Sequence, residues 1–206
     1  MRDVLDLHTH TIASGHAYNT MMEMIHEAQN KGLDVYGITE HAPRMKGTCT
    51  DFYFHNLKVV PRKHGDLELL LGVELNILDI DGHLDLNDEL LGELDYAIAS
   101  MHAQNYKSGS VKENTSAYLN AMTHPCVKVL GHCDNPAFPV DYETLAVGAK
   151  ENGVIFEINE ASLAPYGYRG DTRANNREIL KYCMKYGIPI VLSSDSHGAG
   201  HIGDFT

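Results

Sequence analysis

Short apolar runs recur along the chain, and most are closed by a polar residue able to do chemistry. Val4-Leu5-Asp6-Leu7 runs into His8 and His10, and His16 follows one loop later. Asp34 to Thr39 delivers Glu40-His41, and Leu67 to Val73 delivers Glu74. Tyr96 to Ser100 leads to His102, and Val127 to Leu130 leads to His132. Val154 to Ile158 delivers Asn159 and Glu160, and Ile188 to Leu192 leads to Asp195 and His197. Runs this short and this apolar predict buried strands of a parallel sheet.

The intervening segments carry helix signals. Thr20 to Lys31 has a capping box in Thr20 and Glu23 and a stop at Gly32. Helices are also predicted over Thr115 to Met122, Asp141 to Asn152 and Asn175 to Tyr186. Asp141 caps the second of these, and Gly153 and Gly187 end the last two. Asn76 to Leu86 alternates around Asp81-Gly82, the pattern of a hairpin. Residues 42 to 65 follow no period, are rich in aromatic and basic side chains, and are expected to be irregular. Seven strand runs alternating with helices or loops make an α/β chain. In 206 residues they favour a distorted barrel over a doubly wound sheet, as one domain over residues 1–206.

Charge and composition narrow the class. The formal net charge of −12 argues against a nucleic-acid surface. No apolar run is long enough for a transmembrane helix, and the start lacks a signal-peptide core, so a cytoplasmic protein without a membrane partner is expected. Cys49, Cys126, Cys133 and Cys183 form no CxxC pair and read as reduced thiols. No GxGxxG, P-loop or GxSxG occurs.

Histidine is the compositional outlier, with 13 residues. Nine candidate ligands fall at or just after strand ends: His8, His10, His16, His41, Glu74, His102, His132, Asp195 and His197. In a β/α barrel that face carries the chemistry, and such a set predicts a metal centre. His26, His64, His83 and His124 follow no strand and read as structural or solvated. His55 and His201 lie in loops that could reach the mouth.

These residues fall into recognisable segments. Asp6-Leu7-His8-Thr9-His10-Thr11, Ser14-Gly15-His16-Ala17-Tyr18, Ile38-Thr39-Glu40-His41 and Gly72-Val73-Glu74-Leu75-Asn76 are followed by Met101-His102, Gly131-His132, Glu157-Ile158-Asn159 and Ser194-Asp195-Ser196-His197. In this order the chain resembles the PHP (polymerase and histidinol phosphatase) superfamily, and within it the YcdX-type phosphatases.

The resemblance implies a distorted (β/α)7 TIM-like barrel with a trinuclear site. His8, His10, Glu74 and Asp195 would hold one ion. Glu74, His102 and His132 would hold a second, and His16, His41 and His197 a third. A carboxylate can bridge two ions, as this grouping asks of Glu74. Imidazole-rich sites suit zinc, with manganese or iron as alternatives. Relatives continue beyond the last motif, so the last helix of the barrel is expected to be missing, with homo-oligomer contacts as one possible cover.

The expected activity is hydrolysis of a small phosphorylated substrate, a phosphate monoester, by a metal-bound hydroxide. Glu74, Asp195 and His197 are the catalytic candidates within the ligand set. Arg44, Lys46, Arg62 and Arg169 are candidates for holding substrate. Three rivals stand beside this reading: a PHP exonuclease, an amidohydrolase-like hydrolase, and a non-catalytic metal-binding regulatory domain.

Overall fold

The computed structural model describes residues 4–205. Among them, one sheet contains β1 (Leu5–Asp6), β2 (Val35–His41), β3 (Lys63–His64), β4 (Leu67–Asn76), β5 (Ala97–Ser100), β6 (Val127–Leu130), β7 (Ile155–Asn159) and β8 (Ile190–Ser193). Its order is β1-β2-β4-β5-β6-β7-β8, parallel throughout, with β3 as a short antiparallel partner on β4. The sheet curls until its two ends meet. A parallel bridge joins Thr9 to Ser196, and the His10 amide donates to the Ser196 carbonyl at 2.9 Å. This is the distorted, nearly closed TIM-like barrel expected.

The helices are α1 (Met21–Asn30), α2 (Asp51–Asn56), α3 (Asp88–Leu91), α4 (Val111–Ala121), α5 (Tyr142–Asn152), α6 (Glu160–Leu163) and α7 (Arg173–Tyr186). The α1 capping box forms, and Asp141 caps α5 by accepting from the Thr144 amide at 2.8 Å. α4 starts four residues earlier than expected, because Ser110 and Glu113 close a capping box that the apolar period did not reveal. The stretch expected to be irregular contains α2. Its residues are poor helix formers and Thr50 makes no side-chain cap. Burial of Phe54 in the core holds it instead, a tertiary override of local propensity. The expected hairpin shrinks to one bridge, Ile77 with Leu84. Asp79 Oδ1 accepts from the Asp81 and His83 amides, so a side-chain turn replaces the ladder.

Alternation along β4 divides the two layers. Leu69, Leu71, Val73 and Leu75 join the core between sheet and helices. Glu74 and Asn76 point the other way. Inside the barrel, Tyr96, Ile98, Val129 and Val191 pack with Leu5, Leu7, Leu70 and Ile155. The Tyr96 hydroxyl crosses this interior to donate to the Leu7 carbonyl at 2.5 Å, immediately below His8. Gly37 makes room for it, since a Cβ there would lie 2.1 Å from the Tyr96 oxygen. After β8 the described residues contain one 3-10 turn, Ala199–His201, and Ile190 and Leu192 stand 38% and 43% exposed. No helix among the described residues is long and apolar enough to cross a membrane.

Asp6 ties the seam. Its carboxylate accepts from the amides of Ser194 (3.0 Å), Gly203 (2.9 Å) and His8 (3.4 Å). Burial pushes this carboxyl up, against those hydrogen bonds. Asp6→Ala would strand buried donors at about 1–3 kcal/mol each. The expected loss is about 2–4 kcal/mol in urea unfolding, with Asp6→Asn less damaging because it keeps one acceptor. An Asp6→Ala midpoint equal to the parent's would show that the seam is held elsewhere.

Candidate metal centre

All nine expected ligands gather at the C-terminal end of the sheet. His8, His10, His41, Glu74, His102, His132 and Asp195 are buried, His197 is half-buried and His16 is exposed. The cluster therefore has a buried floor and a solvent-facing side. Glu74, at the end of β4, is its centre. Its Oε2 lies 3.4 Å from His8 Nε2, 3.6 Å from His10 Nε2 and 2.6 Å from His41 Nδ1. Its Oε1 lies 3.2 Å from His102 Nε2 and 2.8 Å from His132 Nε2. Asp195 Oδ1 closes one side, 3.6 Å from His8 Nε2 and 3.3 Å from His10 Nε2. On the open side His16 Nε2 is 3.1 Å from His197 Nε2.

Second partners fix which ring nitrogen faces inward. His8 Nδ1 meets Glu157 Oε1 at 2.7 Å, and His10 Nδ1 meets Ser14 Oγ at 3.1 Å. His16 Nδ1 donates to the Ser14 carbonyl, His102 Nδ1 to Asn76 Oδ1, and His197 Nδ1 to the Asp195 carbonyl. Asn76 is itself oriented, because its Nδ2 donates to Asp85 Oδ2 at 2.6 Å. With Nδ1 donating, Nε2 keeps its lone pair. That is the arrangement of metal-binding imidazoles, whose outer nitrogen is held by a carboxylate, amide or carbonyl.

The cluster fits cations. His8 Nε2, His10 Nε2, His41 Nδ1 and Glu74 Oε2 are buried and close no hydrogen bond of good geometry, even though His41 Nδ1 and Glu74 Oε2 stand 2.6 Å apart. Buried acceptors without well-formed hydrogen bonds are costly, and four of them crowded against one another ask for positive charge between them. His8, His10 and Glu74 bring their ligand atoms within 4.8 Å of one another, as do His41, Glu74 and His102, and His10, His41 and His197. His41 thus stands between groups, closer to Glu74 than the division implied by family resemblance had it.

The electrostatics carry the same strain. Burial pushes the Glu74 carboxyl up, yet His102, His41 and His8 hold it well below the usual range. Burial opposes charge on His8, but Glu157, Asp195 and Glu74 drive it well above its ordinary value. Burial lowers His10 strongly, aided by His41 and His197. Backbone strain is also concentrated here. His132 (φ 28°) and Asp195 (φ 54°) are the non-glycine residues in left-handed conformation among those described, and such strain gathers at functional sites.

The candidate substrate cations divide. Arg44 and Lys46 are exposed in the loop after β2, and among the described residues neither side chain has an ion-pair partner. Arg169 is buried. It donates to Asp195 Oδ2 at 2.8 Å, to Asn159 and Ser162 at 3.2 Å each, and to the Tyr168 hydroxyl at 3.0 Å. Arg62 is placed elsewhere: it binds Asp95 at 2.9 Å and the Leu57 and Val60 carbonyls, at the end where β5 begins. The sheet separates it from the histidines, because its loop enters β4 rather than leaving a strand.

The remaining histidines stay outside the cluster. His55 pairs with Glu93, and His201 with Asp204 and the Tyr166 hydroxyl. His26 and His83 are exposed, and His64 and His124 half-buried. Sequence reading passed over Ser14, Glu40, Asn76 and Glu157 as site residues. Ser14, Glu40 and Asn76 sit two or fewer residues from a candidate ligand and Glu157 lies in the middle of β7, a signal visible only once the ligands are known to need outer partners.

Comparison with known proteins agrees with this architecture. A probable phosphatase of Clostridium acetobutylicum is 42% identical over 205 residues, spanning 100% of this chain and 83% of that protein. A probable phosphatase of Clostridium novyi is 44% identical with the same spans. Among solved structures, a candidate histidinol phosphatase of Listeria monocytogenes superposes with a TM-score of 0.70 at 21% identity, covering 97% of each chain. Histidinol phosphate phosphatase of Lactococcus lactis, solved with zinc, L-histidinol and phosphate, gives 0.64 at 18%, covering 96% of this chain and 87% of that one. The PHP domain model matches residues 6–162 and the PHP-associated model residues 173–206, so the chain belongs to the PHP family.

Proposed function

We propose that the protein is a hydrolase, a metal-dependent phosphoesterase that cleaves small phosphate monoesters at a trinuclear centre. The observation carrying this reading is the convergence of four buried ligand atoms from His8, His10, His41 and Glu74, none of them in a well-formed hydrogen bond. The relatives named probable phosphatases support the reaction class. His8, His10, Glu74 and Asp195 would hold the first ion, Glu74, His102 and His132 the second, and His16, His41 and His197 the third. Zinc suits this imidazole majority, with manganese or iron as alternatives. Bound divalent ions would supply an activated water at neutral pH and neutralise the phosphoryl oxygens.

The chain's own part is positioning. Glu74 turns one oxygen toward His8, His10 and His41 and the other toward His102 and His132, so a single carboxylate serves two positions. Asp195 presents Oδ1 to His8 and His10, while Arg169 and Asn159 hold Oδ2. Arg169 therefore orients a ligand. The exposed cations Arg44 and Lys46 are the better candidates for receiving the phosphate, at the rim beyond His41.

His16→Ala tests the three-ion form. It removes one ligand from the open side and leaves the buried floor intact. The expected result is loss of about one ion per chain and a fall in turnover of roughly 100-fold or more, several kcal/mol of charge stabilisation being at stake. Full turnover with the third ion missing would reduce the centre to two.

A further inference from the structure

Ser14 touches ligands assigned to two different ions. It ends the 3-10 turn Ile12–Ser14 and is fully buried. Its hydroxyl oxygen lies 3.1 Å from His10 Nδ1 and accepts from the His41 amide at 3.1 Å. Its carbonyl accepts from His16 Nδ1 at 3.0 Å. The hydroxyl proton goes to Glu40 Oε2 at 2.5 Å. A serine hydroxyl has one proton and two lone pairs. With the proton committed to Glu40, both lone pairs must accept, so His10 must donate from Nδ1 and keep its Nε2 lone pair for the centre.

Glu40 is equally constrained. Its Oε2 also accepts from the Thr11 amide at 3.1 Å, and its Oε1 accepts from the Thr11 hydroxyl at 2.5 Å and the Tyr53 hydroxyl at 3.3 Å. It is buried at 1% exposure and has no counter-cation among these contacts. Gly15 lets the chain turn directly from Ser14 to His16. It sits at φ 81°, and a Cβ there would lie 2.0 Å from the Gly47 carbonyl oxygen. Thr11 to His16 is therefore a rigid wedge. Within it, the Ser14 hydroxyl, with Glu40 behind it, meets a ligand assigned to the first ion, and the Ser14 carbonyl meets a ligand assigned to the third.

We propose that Ser14, backed by the Glu40 carboxylate, is a positioning residue shared by two metal positions, setting the His10 ring for the first and the His16 and His41 ligands for the third. This rests on the trinuclear reading above. Orientation by such outer partners is worth 10–100-fold in metal affinity. A residue serving two positions should weaken both when its hydroxyl is removed, most at the one whose ring the hydroxyl holds.

The test uses full-length protein equilibrated in chelator-buffered zinc, with metal per chain measured across a range of free zinc concentrations. Parent protein should load three ions. Ser14→Ala should need about 10–100-fold more free zinc to fill the position of His10, and a smaller excess at the position of His16 and His41, because alanine keeps the carbonyl that His16 donates to and loses only the acceptor of the His41 amide, while the position at Glu74, His102 and His132 fills as before. Glu40→Gln keeps an acceptor for the Ser14 proton but removes the charge, and should weaken the same two positions less. Should Ser14→Ala fail to fold, Glu40→Gln carries the test. Weakening at one position only, or at none, in a variant with parental circular dichroism would overturn the proposal. Parent protein that binds no zinc at all would overturn the trinuclear reading instead.

Discussion

Glu74→Gln is expected to cut phosphate-monoester turnover by about 1,000-fold or more, with metal content falling in the same preparation. The size follows from the number of groups that depend on this carboxylate. Five imidazoles lie within 4 Å of its two oxygens, three on one and two on the other. Glutamine has nearly the same shape but one oxygen and no charge. It cannot serve two cations, and its NH2 group would point a donor at nitrogen lone pairs or at metal. Stabilisation of several kcal/mol by bound ions corresponds to about three powers of ten in rate. Retained activity in metal-depleted Glu74→Gln would show that the chemistry lies elsewhere.

Stripping the metal should lower the melting temperature by roughly 10–20 °C, and zinc should restore it. The cause is the buried cluster itself. His8, His10, His41 and Glu74 carry buried acceptors that close no well-formed hydrogen bond, and ions bound only to the folded state stabilise it by mass action. Each site held at about ten times its Kd contributes about 1.4 kcal/mol, so three sites contribute about 4 kcal/mol, and a chain of this size shifts by about 2–4 °C per kcal/mol. The measurement is differential scanning fluorimetry with chelator, then with excess zinc. A melting curve indifferent to both would mean that the lone pairs are satisfied without cations.

Much of the architecture was legible because barrel strands are short, apolar and buried on both faces. β6 occupies the expected residues, Val127–Leu130, and most other strands shift by one or two. The candidate ligands were legible for a related reason: a parallel strand presents its next residues at one end of the barrel. What escaped the sequence was set by tertiary contact. α2 depends on burying Phe54, and α4 depends on the Ser110–Glu113 cap. The irregular loop also hid the difference between Arg44 and Arg62. Both are loop arginines, but one follows a strand and the other precedes one. Arg169, like Arg44, follows a strand, and loop position alone does not separate a substrate contact from a partner of a ligand. In the fold Arg169 pairs with Asp195 at 2.8 Å. Ser14 and Glu40 carry no motif meaning until the rings they orient are in place.

The most direct test of the account is metal content per chain on the sample whose hydrolysis is measured. Zinc, manganese and iron would be quantified by mass spectrometry. Turnover would then be followed on p-nitrophenyl phosphate, single-stranded DNA and a dihydropyrimidine, with and without chelator. The account predicts about three divalent ions per chain and chelator-sensitive release of phosphate from the monoester alone. Undiminished monoester hydrolysis by metal-free protein, or fully loaded protein that hydrolyses none of the three, would contradict it.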